Sequence, residues 1–379
     1  MRRKELIKAV ILPVIVLICM TSCKEPYYPD VDKSGAYYLV VEGTIFNGDN
    51  KTVIKLSRTA DLKDTKVKGE AKAILTVEDE DNSKFGLAEE ENGVYSATLT
   101  NLQVDKKYRL RIKTSNGKEY LSDFVALKNT PEIDSVTWAK NADGVSISVN
   151  AHDDENRGRY YRWLYEQTWE FHSPYISNYD YEEPFIIDRI NSNDIFQCWK
   201  SQSSSTVIIK STVNLSKDQV DHYQLLNIPM NSWYLSVLYS VLVKQYVMTQ
   251  EEYQYWQKIK KNTEELGSIF DPQPSEIPGN IHCVSDKDEV VIGYVGACVP
   301  RERRIFISNA QVQPWRYRPD CFTVDVLDNP DSLKAAFHGG QVDPVGKYFR
   351  DGQTRYTGAS VTCIDCTLSG TNKKPSFWP

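Results

Sequence analysis

The chain has 379 residues, of which 41% are hydrophobic and 25% charged, with a formal net charge of −6. That composition supports a packed core and excludes disorder as the default, and the length allows two or three domains. Removing residues 1–22 takes out Arg2, Arg3, Lys4 and Lys8 with Glu5 and leaves −9, a balance that argues against phosphate-backbone binding and so against nucleic acid as a partner.

The chain opens with the basic segment MRRKELIK, followed at 9–20 by the apolar run AVILPVIVLICM. Twelve residues is the length of a signal-peptide core and too short to span a bilayer. Thr21-Ser22-Cys23 then resembles the bacterial lipobox, although Met20 stands where leucine is commoner. In that motif the thiol takes a diacylglycerol and the new amino terminus is acylated. Residues 1–22 are therefore read as a signal peptide, Cys23 as the lipidated residue, and 23–36 as a tether. Each buried methylene contributes about 0.8 kcal/mol, so two or more acyl chains anchor stably. Lys24-Glu25 partly resembles the surface-export tag of Bacteroidota lipoproteins.

From residue 37 the pattern is β. Tyr37 to Ile45 is a β-rich run, Asn47-Gly48 turns it, and Thr52 to Leu56 returns. Ala73, Leu75 and Val77 alternate, and Asn92-Gly93 leads into Val94 to Leu99. Leu102 to Ile112, with Tyr108-x-Leu110-x-Ile112, resembles the tyrosine corner of immunoglobulin and fibronectin type III sandwiches, in which Tyr108 would bond the backbone upstream. The expected first domain is an immunoglobulin-like sandwich over 37–128.

A second sandwich is expected over 131–313. Ile133 to Trp138 and Val145 to Val149 open it, and Tyr160 to Glu166 continues it. Asp153-Asp154-Glu155-Asn156 offers oxygens to Ca²⁺, but the EF-hand spacing is absent and a solvated turn is the favoured reading. Residues 172–204 break the rhythm and read as an inserted loop, in which Tyr175, Tyr179 and Tyr181 are the candidate ligand-binding residues. Thr249-Gln250-Glu251-Glu252 is a capping box for a helix over 249–266. Its face of Tyr253, Trp256, Ile259 and Leu266 is expected to pack on the sheet. Tyr108, Trp163 and Trp256 are assigned to the core. Arg301, Arg303 and Arg304 form a basic run, read as a strand edge before an anion site.

The tail 314–379 is expected to wrap the second domain. Beyond Cys19 and Cys23, six cysteines remain: Cys198, Cys283, Cys298, Cys321, Cys363 and Cys366. An even number in an exported chain suggests disulfides, with 15 connectivities possible. Cys363-Ile-Asp-Cys366 also admits a redox or zinc reading. It lies in a Gly/Thr/Ser-rich stretch near the chain end, and the five histidines are scattered, so a structural disulfide role is favoured.

No phosphate loop, nucleophile elbow or His-Glu-x-x-His motif occurs. No metal, cofactor or catalytic residue is expected, although a carboxylate pair for glycoside hydrolysis is not visible in sequence either way.

One set of segments carries a resemblance to a known family. It comprises Thr21-Ser22-Cys23, Arg159 to Trp163, Thr249 to Tyr253 with Trp256, Gly267 to Pro274, Gly293-Tyr294-Val295, Cys363-x-Asp-Cys366 and Gly370 to Trp378. Together they resemble a Bacteroidota lipoprotein family, domain of unknown function 4249. Members are typically encoded beside TonB-dependent outer-membrane receptors, and no site residues are established for the family. The resemblance implies a lipid-anchored outer-membrane protein facing outward, acting as an accessory or ligand-capturing subunit of such a transporter. A surface glycan or peptide hydrolase, and a structural or adhesive envelope protein, are the alternatives.

Overall fold

The computed structural model describes residues 37–60, 67–104, 106–264, 277 and 279–379. The leader, Cys23, the tether, and the predicted helix end at Leu266 and Gly267 lie outside them. Among the described residues no helix is long and apolar enough to cross a membrane.

The chain is mainly β, with several sheets. Period-two alternation builds the first core. Along Lys107–Lys113, Tyr108, Leu110 and Ile112 are buried while the residues between them reach outward. The Tyr108 hydroxyl accepts the Gln103 N–H at 2.7 Å, the upstream bond expected of a tyrosine corner.

The first core does not end at residue 128. Strand Leu39–Phe46 pairs antiparallel with Lys51–Arg58 and, on its other side, parallel with Val291–Val299. Strand Ile281–Cys283 pairs with Glu119–Ser122. Ile281, Cys283, Val291 and Val295 therefore share one apolar cluster with Leu39, Val41 and Tyr108. The second sandwich expected over 131–313 would include strand Val291–Val299, which the structure assigns to the first core instead. A parallel pair needs no adjacent turn, so no local signal reports it.

The second core lies between two sheets. One is Ile133–Lys140, Gly144–Asp153 and Asp218–Pro229; the other is Gln197–Ser203, Tyr160–His172, Leu238–Val247 and Arg301–Ser308. Tyr161, Trp163, Trp169, Tyr239 and Val241 of the second meet Val145, Ile147 and Val149 of the first. The expected inserted loop 172–204 is therefore only partly a loop. It contains the hairpin Tyr179–Glu182 and Phe185–Asp188, and then the edge strand Gln197–Ser203. That strand buries only Cys198 and Trp199, too little apolar alternation to be read.

The tail also corrects its expectation. Strands Thr323–Leu327, Val342–Arg350 and Gln353–Ser360 form a sheet. The helix Pro330–Phe337, capped by Asn329 accepting the Ser332 N–H at 2.9 Å, packs on it. Val326, Leu333, Phe337 and Tyr356 make a core of their own. Only the last residues act as a strap across the second sandwich. Thr371 and Trp199 exchange backbone hydrogen bonds, the Trp378 indole donates to Glu170 at 3.0 Å, and the Arg304 guanidinium lies 3.5 Å from the Phe377 ring centre.

Four of the six cysteines pair, Cys198 with Cys366 and Cys321 with Cys363. The Cys363-x-x-Cys366 motif is thus split between two structural bridges. Cys283 and Cys298, named with them as disulfide candidates, are free buried thiols instead, because each lies inside a different strand of the first core's sheet.

The Cys198–Cys366 bridge closes a sequence separation of 168 residues, and long loops gain most from closure. Cys198→Ser with Cys366→Ser is expected to cost about 2–5 kcal/mol, read by denaturant unfolding under non-reducing conditions. An unchanged midpoint would show that the strap is held by its aromatic contacts alone.

Candidate functional site

The Gln250–Glu264 helix begins where strand Leu238–Val247 leaves its sheet. Thr249 Oγ1 accepts the Glu252 N–H at 3.2 Å and caps it. Glu251 and Glu252 in the first turn and Lys261 in the last suit the helix dipole. The predicted capping box closes only halfway. The Glu252 side chain does not reach back to the cap; it turns inward and is buried together with Tyr255. Tyr253, Trp256 and Ile259 are half-buried, so the apolar face expected from sequence is the flank of the buried stripe.

A cleft of about 530 Å³ opens between this helix and the corner after strand Glu119–Ser122. Asp123 and Phe124 come from the corner, Glu251, Tyr255 and Lys258 from the helix, and Tyr294 from strand Val291–Val299. Asn280 holds the walls together. Its side chain donates to the Val295 carbonyl at 3.0 Å and accepts the Val295 N–H at 2.9 Å. Its own carbonyl accepts the Asp123 N–H at 2.7 Å. The Tyr294 ring packs 5.3 Å from that of Tyr255. Burial raises the Tyr294 hydroxyl's pKa, and the carboxylates of Glu252, Glu251 and Asp123 push it further against a hydrogen bond with Thr249. It therefore stays protonated at neutral pH. Phe124 carries the Arg109 guanidinium 4.6 Å from its ring centre. The cleft offers an aromatic wall, two carboxylates and an ammonium, which suits a small polar molecule with one apolar face.

Beneath the same helix lies a second, closed cluster. Arg162, from strand Tyr160–His172, lies 3.5 Å from the Trp256 ring centre, with its Nε sealed and unpartnered. Burial pushes the Glu252 carboxyl up to about 7, and Arg162 pulls it back only in part. The Trp256 indole also lowers it, although its Nε1 makes no full hydrogen bond. Burial likewise holds the Cys298 thiol well above its usual range. Gly296 leaves the space that the Glu252 carboxyl occupies, because a Cβ at that position would lie 2.3 Å from Glu252 Oε2.

The structure does not bring the three candidate tyrosines to the cleft. The Tyr175 N–H donates to the Cys363 carbonyl at 3.1 Å. Tyr179 sets its ring edge-on to Tyr356, with centroids 5.9 Å apart. Tyr181 packs on Phe337 at 5.8 Å. All three are half-buried. Tyr179 and Tyr181 fasten the hairpin to the C-terminal sheet and its helix, and Tyr175 ties the segment before it to the turn at Cys363, so their expected exposure is corrected. Tyr108 and Trp163 are core residues. The basic run is structural: Arg301 lies 2.8 Å from Glu132, Arg303 donates to the Ile133 and Asp134 carbonyls, and Arg304 donates to Ser240. Asp153 accepts the backbone N–H groups of Glu155, Arg157 and Gly158, so its oxygens are committed to a turn. Among the described residues no three His, Cys, Asp or Glu side chains gather as a metal site. The cleft residues were missed because Asp123, Glu251 and Tyr294 come from segments far apart in sequence; the helix alone was a visible signal.

These features define a mainly β, sandwich-type protein with one helix walling a cleft. The chain belongs to the family described as Domain of unknown function (DUF4249), matched over residues 24–304. The C-terminal sheet and strap lie beyond the matched span. No curated protein matches the chain.

Trp256→Ala removes the platform under Arg162 and is expected to lower stability by about 2–4 kcal/mol. Lys258→Ala, two residues further on and exposed, should stay within about 0.5 kcal/mol of wild type. Denaturant midpoints compare them, and equal losses would contradict the packing assigned to the helix.

Proposed function

We propose that the protein is a lipid-anchored outer-membrane protein that captures a small ligand in the helix-walled cleft and serves a TonB-dependent transporter as an accessory subunit. The observation that carries this reading is the cleft itself, where separate chain segments present aromatic and charged side chains to one opening. The leader, Cys23 and Lys24-Glu25 support the anchor, and the resemblance to lipoproteins encoded beside such receptors supports the partner. A 14-residue tether over 23–36 reaches roughly 45–50 Å when extended, enough to let the folded part meet a neighbouring barrel.

Cys23→Ser is expected to move the protein from the membrane to the soluble fraction and to abolish labelling by radioactive fatty acid. Mild detergent extraction of native outer membranes should recover a barrel protein with the wild-type chain, and recovery of the chain alone would count against the partner. Mass spectrometry of small molecules released from the purified protein tests the cleft. The double variant Tyr294→Ala, Glu251→Ala should lose what the wild type carries, and equal recovery from both would reject the cleft as the capture site.

A further inference from the structure

We propose that Glu252 is a proton-controlled latch for the Gln250–Glu264 helix: protonation of its carboxyl keeps the helix docked, and ionisation loosens it and reshapes the cleft that the helix walls. The consequence for the cleft rests on the capture reading above; the latch itself does not.

The geometry supports it from three sides. Glu252 is buried on the inner side of the helix, while Glu251 and Lys258 of the same helix line the cleft. The side chain is pressed against Gly296 with no room for an added methyl group. The elements around it supply one nearby cation, Arg162, which attracts Glu252 from a distance without a direct ion pair among the described residues. That cation is already spread over the Trp256 ring. Strand Tyr160–His172 also brings Tyr160, which packs on Tyr253 at 5.0 Å. Strand Val291–Val299 brings Tyr294 and Cys298, and strand Leu238–Val247 brings Tyr246, which acts on Arg162. Glu42 of strand Leu39–Phe46 acts on Tyr255, and Glu251 and Tyr255 come from the helix itself. Lys210, on strand Ile208–Ser211, is turned to the Tyr223 ring at 5.7 Å. Isolated carboxylates in such surroundings become neutral before they stay buried and charged.

The direction follows from linkage. Glu252 titrates near 4.5 when exposed and near 7 when docked. Docking is therefore favoured most below about 4.5, weakens as pH rises towards about 7, and levels off above it. Across that window the open fraction grows roughly tenfold per pH unit.

Cys298 lies under the helix as a free thiol and reports the opening without any ligand. The full chain in detergent would be labelled with 4,4′-dithiodipyridine from pH 4.5 to 8.5. Rates would be read by mass spectrometry at the Cys298 peptide and divided by those of the denatured chain at each pH. Wild type should lose Cys298 protection roughly tenfold per unit up to about pH 7 and then stay level. Glu252→Gln should hold protection constant, and Glu91→Gln, an exposed carboxylate on strand Lys84–Glu91, should behave as wild type. Cys283, buried in the edge strand Ile281–Cys283 and not under the helix, should not follow that slope. A flat wild-type profile, an unlabelled Cys298 at every pH, the same slope in Glu252→Gln, or parallel loss at Cys283 would each overturn the latch. Thermal unfolding of each variant separates local opening from failure to fold. None of these outcomes touches the anchor or the transporter, and a failed capture assay leaves the labelling result standing.

Discussion

The parallel pairing of Leu39–Phe46 with Val291–Val299 is the constraint on which the rest of the structure depends. It joins the first strand among the described residues to one about 250 residues later, in unbroken register from Leu39↔Val291 to Phe46↔Cys298. The first core is completed only when the later strand arrives. The pairing also fixes where backbone can approach backbone. Gly293 adopts φ +133°, and a Cβ there would lie 2.0 Å from the Val41 carbonyl, so only glycine is accommodated. On this strand ride Tyr294, which faces the cleft, and Gly296 and Cys298, which face the closed cluster. One pairing therefore positions both sides of the helix.

What could be read from the sequence was what local physics determines. Alternation at Tyr108, Leu110 and Ile112, the Asn-Gly turns and the Thr249 cap each act within a few residues, and each is seen in the structure. Contacts made over long separations were not readable. Strand Val291–Val299 had no nearby partner to reveal its sheet. Strand Gln197–Ser203 is polar because one face is solvent, and its pairing with Tyr160–His172 is what makes it a strand. The tyrosines at 175, 179 and 181 illustrate a compositional ambiguity, since Tyr suits an exposed contact surface and a half-buried junction equally. The C-terminal sheet supplies the burial that decides between them.

Glu252 shows why the site itself was hard to read. At the third helical position a glutamate satisfies the capping pattern, and that local explanation hides the tertiary one. A buried acid also breaks the apolar stripe, so the helix appears to face the sheet through Tyr253 and Trp256. In the structure the polar residue is at the centre of the contact and the aromatics flank it. A buried ionisable group of this kind is poor evidence for stability. Its presence under a helix that also walls a cleft is better explained by control of that helix than by its strength.

The outer face of the sheet that carries strand Tyr160–His172 is covered twice, and the two covers differ in kind. Arg162 and Glu170 sit eight residues apart on that strand with the same parity, and each receives a tryptophan: Trp256 under the guanidinium, Trp378 donating to the carboxylate. The Trp378 end belongs to a strap that is covalently tied through Cys198–Cys366, and releasing it requires breaking that bond or unfolding its neighbours. The Trp256 end belongs to a helix with no cysteine, held by packing and by a carboxyl whose protonation changes near neutrality. Regions that open locally are those without such ties. Local motion on this face should therefore concentrate at the helix, the element that also shapes the cleft.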